Sequence, residues 1–174
     1  MPDPLAASHD AIILDACCVI TLACTGRIND ILLYLPKPVM VSDYVYESEV
    51  LQFDLKSLVE SGLLAVVSAD TQAEQNMVVN LAVYLDDGEA VTGAIGVSRN
   101  WAIATDDKKA LSLFGRVAPH IELVSTLAMV KYWAEEAAPS DEEVRGALEE
   151  LLTGAPYEPN SSHPLYAWWR NYVS

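Results

Sequence analysis

Ala11-Ile12-Ile13-Leu14-Asp15 is a run of four apolar residues closed by a carboxylate, and Trp101-Ala102-Ile103-Ala104-Thr105-Asp106-Asp107 repeats that pattern late in the chain. Short runs of branched and small apolar residues read as buried strands. Helical stretches follow both: Cys17 to Thr25, stopped by Gly26, and Lys108 to Phe114. Between them, Val39-Met40-Val41 and Leu63 to Val67 read as two more strands, and Ile121 to Val124 as a last one. Strands alternating with helices imply an α/β fold: a mainly parallel central sheet covered on both faces, in a three-layer α/β/α sandwich.

Cap signals place the other helices. Ile28 to Leu35 is amphipathic and ends at Pro36. Ser42 is expected to cap a helix through Leu51, and Asp54 to Ser61 to close at Gly62. Thr71 with Glu74 and Ser140 with Glu143 match capping boxes, opening helices to Leu85 and to Thr153. Asp86-Asp87-Gly88 breaks the first of these before a helix from Glu89 to Arg99, and Ser125 caps one to Glu135. The organisation expected is a domain over residues 8–135, followed by an acidic helical and aromatic C-terminal extension over 136–174. The tail, with Trp168-Trp169, is too apolar to float freely.

The chain of 174 residues is 52% hydrophobic, ample for a core and incompatible with disorder. No apolar run is long enough to span a bilayer, and Met1-Pro2-Asp3-Pro4 lacks the basic start of a signal peptide. A cytoplasmic location and no membrane are expected. Cys17, Cys18 and Cys24 are an odd set without metal-site spacing, and the adjacent Cys17 and Cys18 read as small buried apolar residues. The net charge of −15 argues against a broad basic nucleic-acid surface. Lys108, Lys109, Arg99 and Arg116 form the one local basic cluster, readable as a solvated helix face or as phosphate contacts.

Four acidic stations remain: Asp15, the Glu47/Glu49 pair, Glu89, and Asp106-Asp107. Carboxylates at buried strand ends are costly unless used, and the carboxyl ends of such strands are where open α/β sheets bind ligands. Converging there, they would suit Mg²⁺ or Mn²⁺. Asp15 reads equally as a helix N-cap or as a ligand. Two adjacent carboxylates at Asp106-Asp107 exceed what capping requires. Glu89 suits the first turn of a helix in any case, with Asp86 and Asp87 as solvated loop charges. Glu47 and Glu49, two positions apart on a helix, point to different sides, so only one can face a site.

The run Leu14-Asp15-Ala16-Cys17-Cys18-Val19-Ile20-Thr21-Leu22 resembles the opening of PIN domains, the small metal-dependent nucleases. Asp86-Asp87-Gly88-Glu89-Ala90 and Ile103-Ala104-Thr105-Asp106-Asp107-Lys108-Lys109-Ala110 are similar to that family's third and fourth acidic motifs. The likeness covers Ala11 to Trp133 and implies a PIN fold with ribonuclease activity. By that resemblance Asp15, Glu89 and Asp107 bind the metal, with Thr105 and Asp106 adjacent. The second-motif glutamate is best matched by Glu49, although Ser48 lies near the family's position. Many members are toxins of toxin–antitoxin pairs and form homodimers, so an RNA substrate, a cognate antitoxin and a homodimer are the implied partners.

The residues suit that chemistry independently, because divalent ions held by carboxylates can both activate water and stabilise a charged phosphoryl transition state. Two other classes compete. One is a nuclease-derived interaction module without activity, working through the acidic extension and the tail. The other is a receiver-like or phosphatase-like domain, which the order of the carboxylates fits poorly. Gly93 and Gly96 lack phosphate-loop spacing and read as positions of close helix packing. Trp168-Trp169 reads as a hydrophobic anchor or a base-stacking surface.

Overall fold

Strand β1 (Ile12–Leu14) is the middle of five parallel strands in the order β3-β2-β1-β4-β5. The others are β2 (Val39–Ser42), β3 (Ala65–Val67), β4 (Ala102–Ala104) and β5 (Leu123–Val124). The structure is a computed structural model describing residues 5 and 9–173, so the sequence expectations about Met1-Pro2-Asp3-Pro4 and the domain limits at 8 and 174 lie outside the described residues.

The sheet is buried on both sides because adjacent strand residues face opposite layers. Ile12 and Leu14 face one apolar cluster, with Val39, Val41, Ala102 and Ala104, whereas Ile13 and Ile103 face the other. The first layer holds α1 (Ala16–Cys24), α2 (Ile28–Tyr34), α3 (Lys56–Glu60), α7 (Thr126–Glu136), α8 (Asp141–Gly154) and α9 (Tyr166–Tyr172). The second holds α4 (Gln72–Leu81), α5 (Asp87–Arg99) and α6 (Lys108–Val117). Crossovers that step outward from β1 to β3 cover one face, and those that step from β4 to β5 cover the other. The right-handedness of parallel connections requires that distribution. The result is a three-layer α/β/α sandwich.

Most expected boundaries hold within a residue or two. The helix opened by Thr71 ends early, at Leu81, and residues 82–85 form turns. The helix expected after Ser42 is instead a π-helical turn, Val45–Glu49, closed by Val50 N–H donating to the Val45 carbonyl at 3.2 Å. The extension shares the first layer's core: Val144, Ala147, Leu148, Leu151 and Trp169 are buried beside α1, α2 and α7. Trp169 is thus an anchor, while half-buried Trp168 stacks against Tyr172 at 5.4 Å. Among the described residues no single helix is long and apolar enough to cross a membrane.

Close packing of α5 on the sheet and on α6 depends on two glycines. A Cβ at Gly96 would stand 2.5 Å from Ile103 Cγ1 and 3.2 Å from Ile13 Cγ2, and one at Gly93 would collide with Phe114. Gly96 brings the helix that carries Glu89 down onto β1 and β4, and Gly93 lets it pack against Phe114 of α6. Gly96→Ala should therefore destabilise the fold by about 1–2 kcal/mol, overpacking outweighing the gain in helix propensity. In a protein of this size that is a fall in Tm of roughly 3–6 °C, measurable by calorimetry; an unchanged or raised Tm would show that α5 has room to lift.

Candidate functional site

Ile12 pairs with Ala102 and Leu14 with Ala104, so β1 and β4 end at the same height. Asp15 and Thr105 are the next residues, and the Thr105 hydroxyl donates to Asp15 Oδ2 at 3.0 Å. Strand order reverses between these two strands, opening the kind of crevice in which α/β sheets bind ligands. Asp15 is 4% exposed. Its Oδ1 accepts the Ala16 N–H at 2.8 Å as the cap of α1, and its Oδ2 also accepts the Cys17 thiol at 3.2 Å. Burial raises its pKa, the three donors oppose that, and the charge of Asp86 adds to it.

Three further carboxylates share this field, each carried by a different element. Asp107 caps α6, accepting Lys109 N–H at 2.8 Å and Ala110 N–H at 2.9 Å. Glu89 sits in the first turn of α5, locked in a capping box: Glu89 N–H donates to Asp86 Oδ1 at 2.9 Å, and Asp86 N–H to Glu89 Oε2 at 3.3 Å. Its pKa is pushed up to about 7, first by burial and then by the charges of Asp86, Asp107 and Asp15. Glu49, on the π-helical turn, is raised by burial and by Asp86, Asp15 and Asp87, while a bond from Gly88 N–H opposes the rise. Its carboxyl group occupies the space that a Cβ on Gly88 would fill.

Of the Glu47/Glu49 pair, Glu49 is the one turned inward, and Glu47 is exposed. Asp86, expected as a solvated loop charge, is the α5 cap and the charge most strongly felt by both Glu49 and Glu89 among their acidic neighbours. Asp87 accepts the Tyr44 hydroxyl at 3.2 Å, tying the π-helical turn to α5.

Asp106 goes elsewhere. Its carboxylate accepts the Thr126 N–H at the start of α7, 3.2 Å from Oδ1, and lies 3.7 Å from the Cys18 thiol. Burial raises its pKa against these bonds and the attraction of His163. Tyr157 also faces Asp106 and is pushed above the ordinary tyrosine range by burial and that charge. The adjacent pair therefore splits: Asp107 joins the Asp15 group, and Asp106 anchors α7 and the C-terminal segment.

Cys17 is more than apolar filler, since its sulfur touches Asp15 and also accepts the Asp106 N–H at 3.4 Å. Arg99, expected with the basic cluster, bonds Glu74 at 2.7 Å and the Ser68 carbonyl at 2.7 Å, and lies over the Trp101 ring.

The donors suit a hard divalent cation: they are all carboxylate oxygens, and their mutual repulsion is what such a charge relieves. As the side chains stand, however, no three His, Cys, Asp or Glu groups among the described residues are gathered closely enough to hold an ion. Asp15, Glu89 and Asp107 each answer a helix N-terminus instead, giving an acidic field rather than a preformed cage. Comparison with protein-family models finds none that matches the chain, and searches among curated proteins and solved structures return no match either.

Two outcomes follow from this geometry. Glu89 binds its proton more tightly folded than unfolded, so its contribution to stability is full below the ordinary glutamate pKa and is lost as pH rises from about 4.5 to about 7. Glu89→Gln should remove that loss, raising Tm at pH 8 by roughly 2–4 °C and leaving pH 4.5 unchanged, after discounting the shift to about 1 kcal/mol for solvent screening. Gly88→Ala should leave stability unchanged or up to about 1 kcal/mol higher, because helix propensity favours Ala. The same change displaces the Glu49 carboxylate, which a crystal structure of the variant would reveal as a new Glu49 rotamer.

Proposed function

We propose that this chain is a divalent-metal-dependent ribonuclease of the PIN type. The observation that supports it most is the meeting of Asp15, Glu49, Glu89 and Asp107, from four separate elements, in one electrostatic field where the strand order reverses. Capping explains three of these carboxylates, but not Glu49, which caps no helix and still feels the charges of Asp86 and Asp15. Asp15, Glu89 and Asp107 would hold Mg²⁺ or Mn²⁺, with Glu89 giving up its bond to Asp86 N–H. Such an ion supplies water activation and neutralises charge building on the phosphoryl oxygens.

The chain's own groups have distinct parts in that reading. Thr105 and Cys17, both donating to Asp15 Oδ2, oppose the rise in its pKa and fix its orientation. Glu89, with a pKa of about 7, can hold or release a proton at Oε near neutral pH. Glu49 reaches the same field from the π-helical turn, beside Gly88. An RNA substrate, a homodimer and an antitoxin partner belong to the same proposal through the family likeness.

A second reading, an acidic interaction module without nuclease activity, is favoured by the missing three-ligand cluster and by the turning away of Asp106. The two separate in one experiment. The nuclease reading expects cleavage of single-stranded RNA with Mn²⁺ or Mg²⁺, abolished by chelation and reduced at least about 100-fold in Asp15→Asn and Asp107→Asn. It also expects Mn²⁺ to raise Tm more at pH 7.5 than at pH 5, where protonated Glu89 competes with the ion. Cleavage surviving both substitutions, or a Tm indifferent to metal at both pH values, rejects it in favour of the interaction module.

A further inference from the structure

In a chain of net charge −15, residues 108–121 contain no acidic side chain. Helix α6 buries Ala110, Leu113 and Phe114 against the sheet and turns Lys108, Lys109, Ser112 and Arg116 to solvent. No ion pair among the described residues engages these three cations. Elsewhere the basic residues are largely occupied: Arg27 by Asp30 and Glu143, Lys56 by Glu60, Arg99 by Asp70 and Glu74, and Lys131 by Glu135. No other helix carries more than one Lys or Arg. Between Arg116 and the first turn, Gly115 leaves the face open, with nothing within 4 Å of where its Cβ would stand.

The position of this face gives it meaning. Its first turn is capped by Asp107, so the basic surface starts at the acidic crevice and runs away from it. A polyanion approaching the crevice meets four carboxylates and is repelled unless cations beside them hold it. Lys108 and Arg116 are eight residues apart, about 12 Å along the helix, a span that reaches roughly three successive phosphates of a strand. We propose that the outer face of α6 holds the sugar–phosphate backbone of an RNA strand whose scissile phosphate lies at the acidic group. The proposal rests on the nuclease reading for the location of that phosphate. Contacts to phosphates by Lys and Arg carry no base information, so binding here is indifferent to sequence.

The test is made in EDTA, where metal-dependent cleavage is absent, by fluorescence anisotropy of a labelled uridine dodecamer across salt concentrations. Three neutralised phosphates on a single strand give a slope of log K against log [salt] of about −2, or roughly 16-fold weaker binding at 200 mM than at 50 mM salt. Lys108→Gln/Lys109→Gln/Arg116→Gln is expected to bring that slope close to zero. A variant of equal net charge, Lys56→Gln/Arg145→Gln/Arg170→Gln, is expected to keep it. All six side chains are exposed, and far-UV circular dichroism checks that both variants fold.

Equal slopes in the two variants, no RNA binding by the parent protein at 50 mM salt, or equal affinity for poly-L-glutamate of matched charge would each overturn the proposal. The last result would assign the face to an acidic protein. Loss of the slope in the α6 variant alone, in a protein that cleaves nothing with Mn²⁺, upholds RNA binding by this face and rejects the nuclease reading separately.

Discussion

The 3.0 Å hydrogen bond from Thr105 to Asp15 depends on the parallel register of β1 and β4, and the rest of the site depends on it. A slip of one residue would turn Ile13 and Ile103 into the wrong layer and carry Asp15 away from the strand ends. With the register fixed, the Asp15 carboxylate has nowhere else to go. The Ala16 N–H, the Cys17 thiol and the Thr105 hydroxyl hold it from three directions. Gly96 then brings α5 onto the same two strands, so Glu89 and Asp86 arrive at a carboxylate already fixed in position.

The helix caps and the acidic field are two aspects of one arrangement. Helix N-termini attract carboxylates, and parallel α/β topology points several such N-termini at one edge of the sheet. Asp15, Asp86 and Asp107 cap three helices there, and burial first, then these gathered charges, raise the pKa values of Glu49 and Glu89. The crevice is held in tension, each cap favourable alone and the assembly mutually repulsive.

Much of this was legible in the residues. Ala11 to Leu14 and Trp101 to Ala104 read as strands because nothing but a buried sheet suits them, and Asp15 and Asp107 fall where helices must begin. The capping boxes at Thr71 and Ser140 were visible for the same local reason. What escaped depends on distant partners. The π-helical turn selects Glu49 over Glu47, and no local preference announces it. Asp106 turns from Asp107 because α7 presents Thr126 N–H to it, a residue 20 positions away. Cys17 and Cys18 look identical in sequence, yet one thiol meets Asp15 and the other Asp106. The motifs read in the sequence stop at Trp133 and give no hint that α8 and α9 complete one of the two apolar layers.

The central place of β1 has a consequence for how the protein comes into being. Its first strand bonds to its fourth across a separation of 90 residues, and its first apolar layer closes only when Trp169 arrives. During synthesis the strand that carries Asp15 emerges early and waits for nearly the whole chain, its apolar residues uncovered. Long-range pairing of this kind folds slowly and leaves hydrophobic surface open to chaperones in the interval. A polypeptide cut short before α9 would carry these acidic residues on an unfinished core.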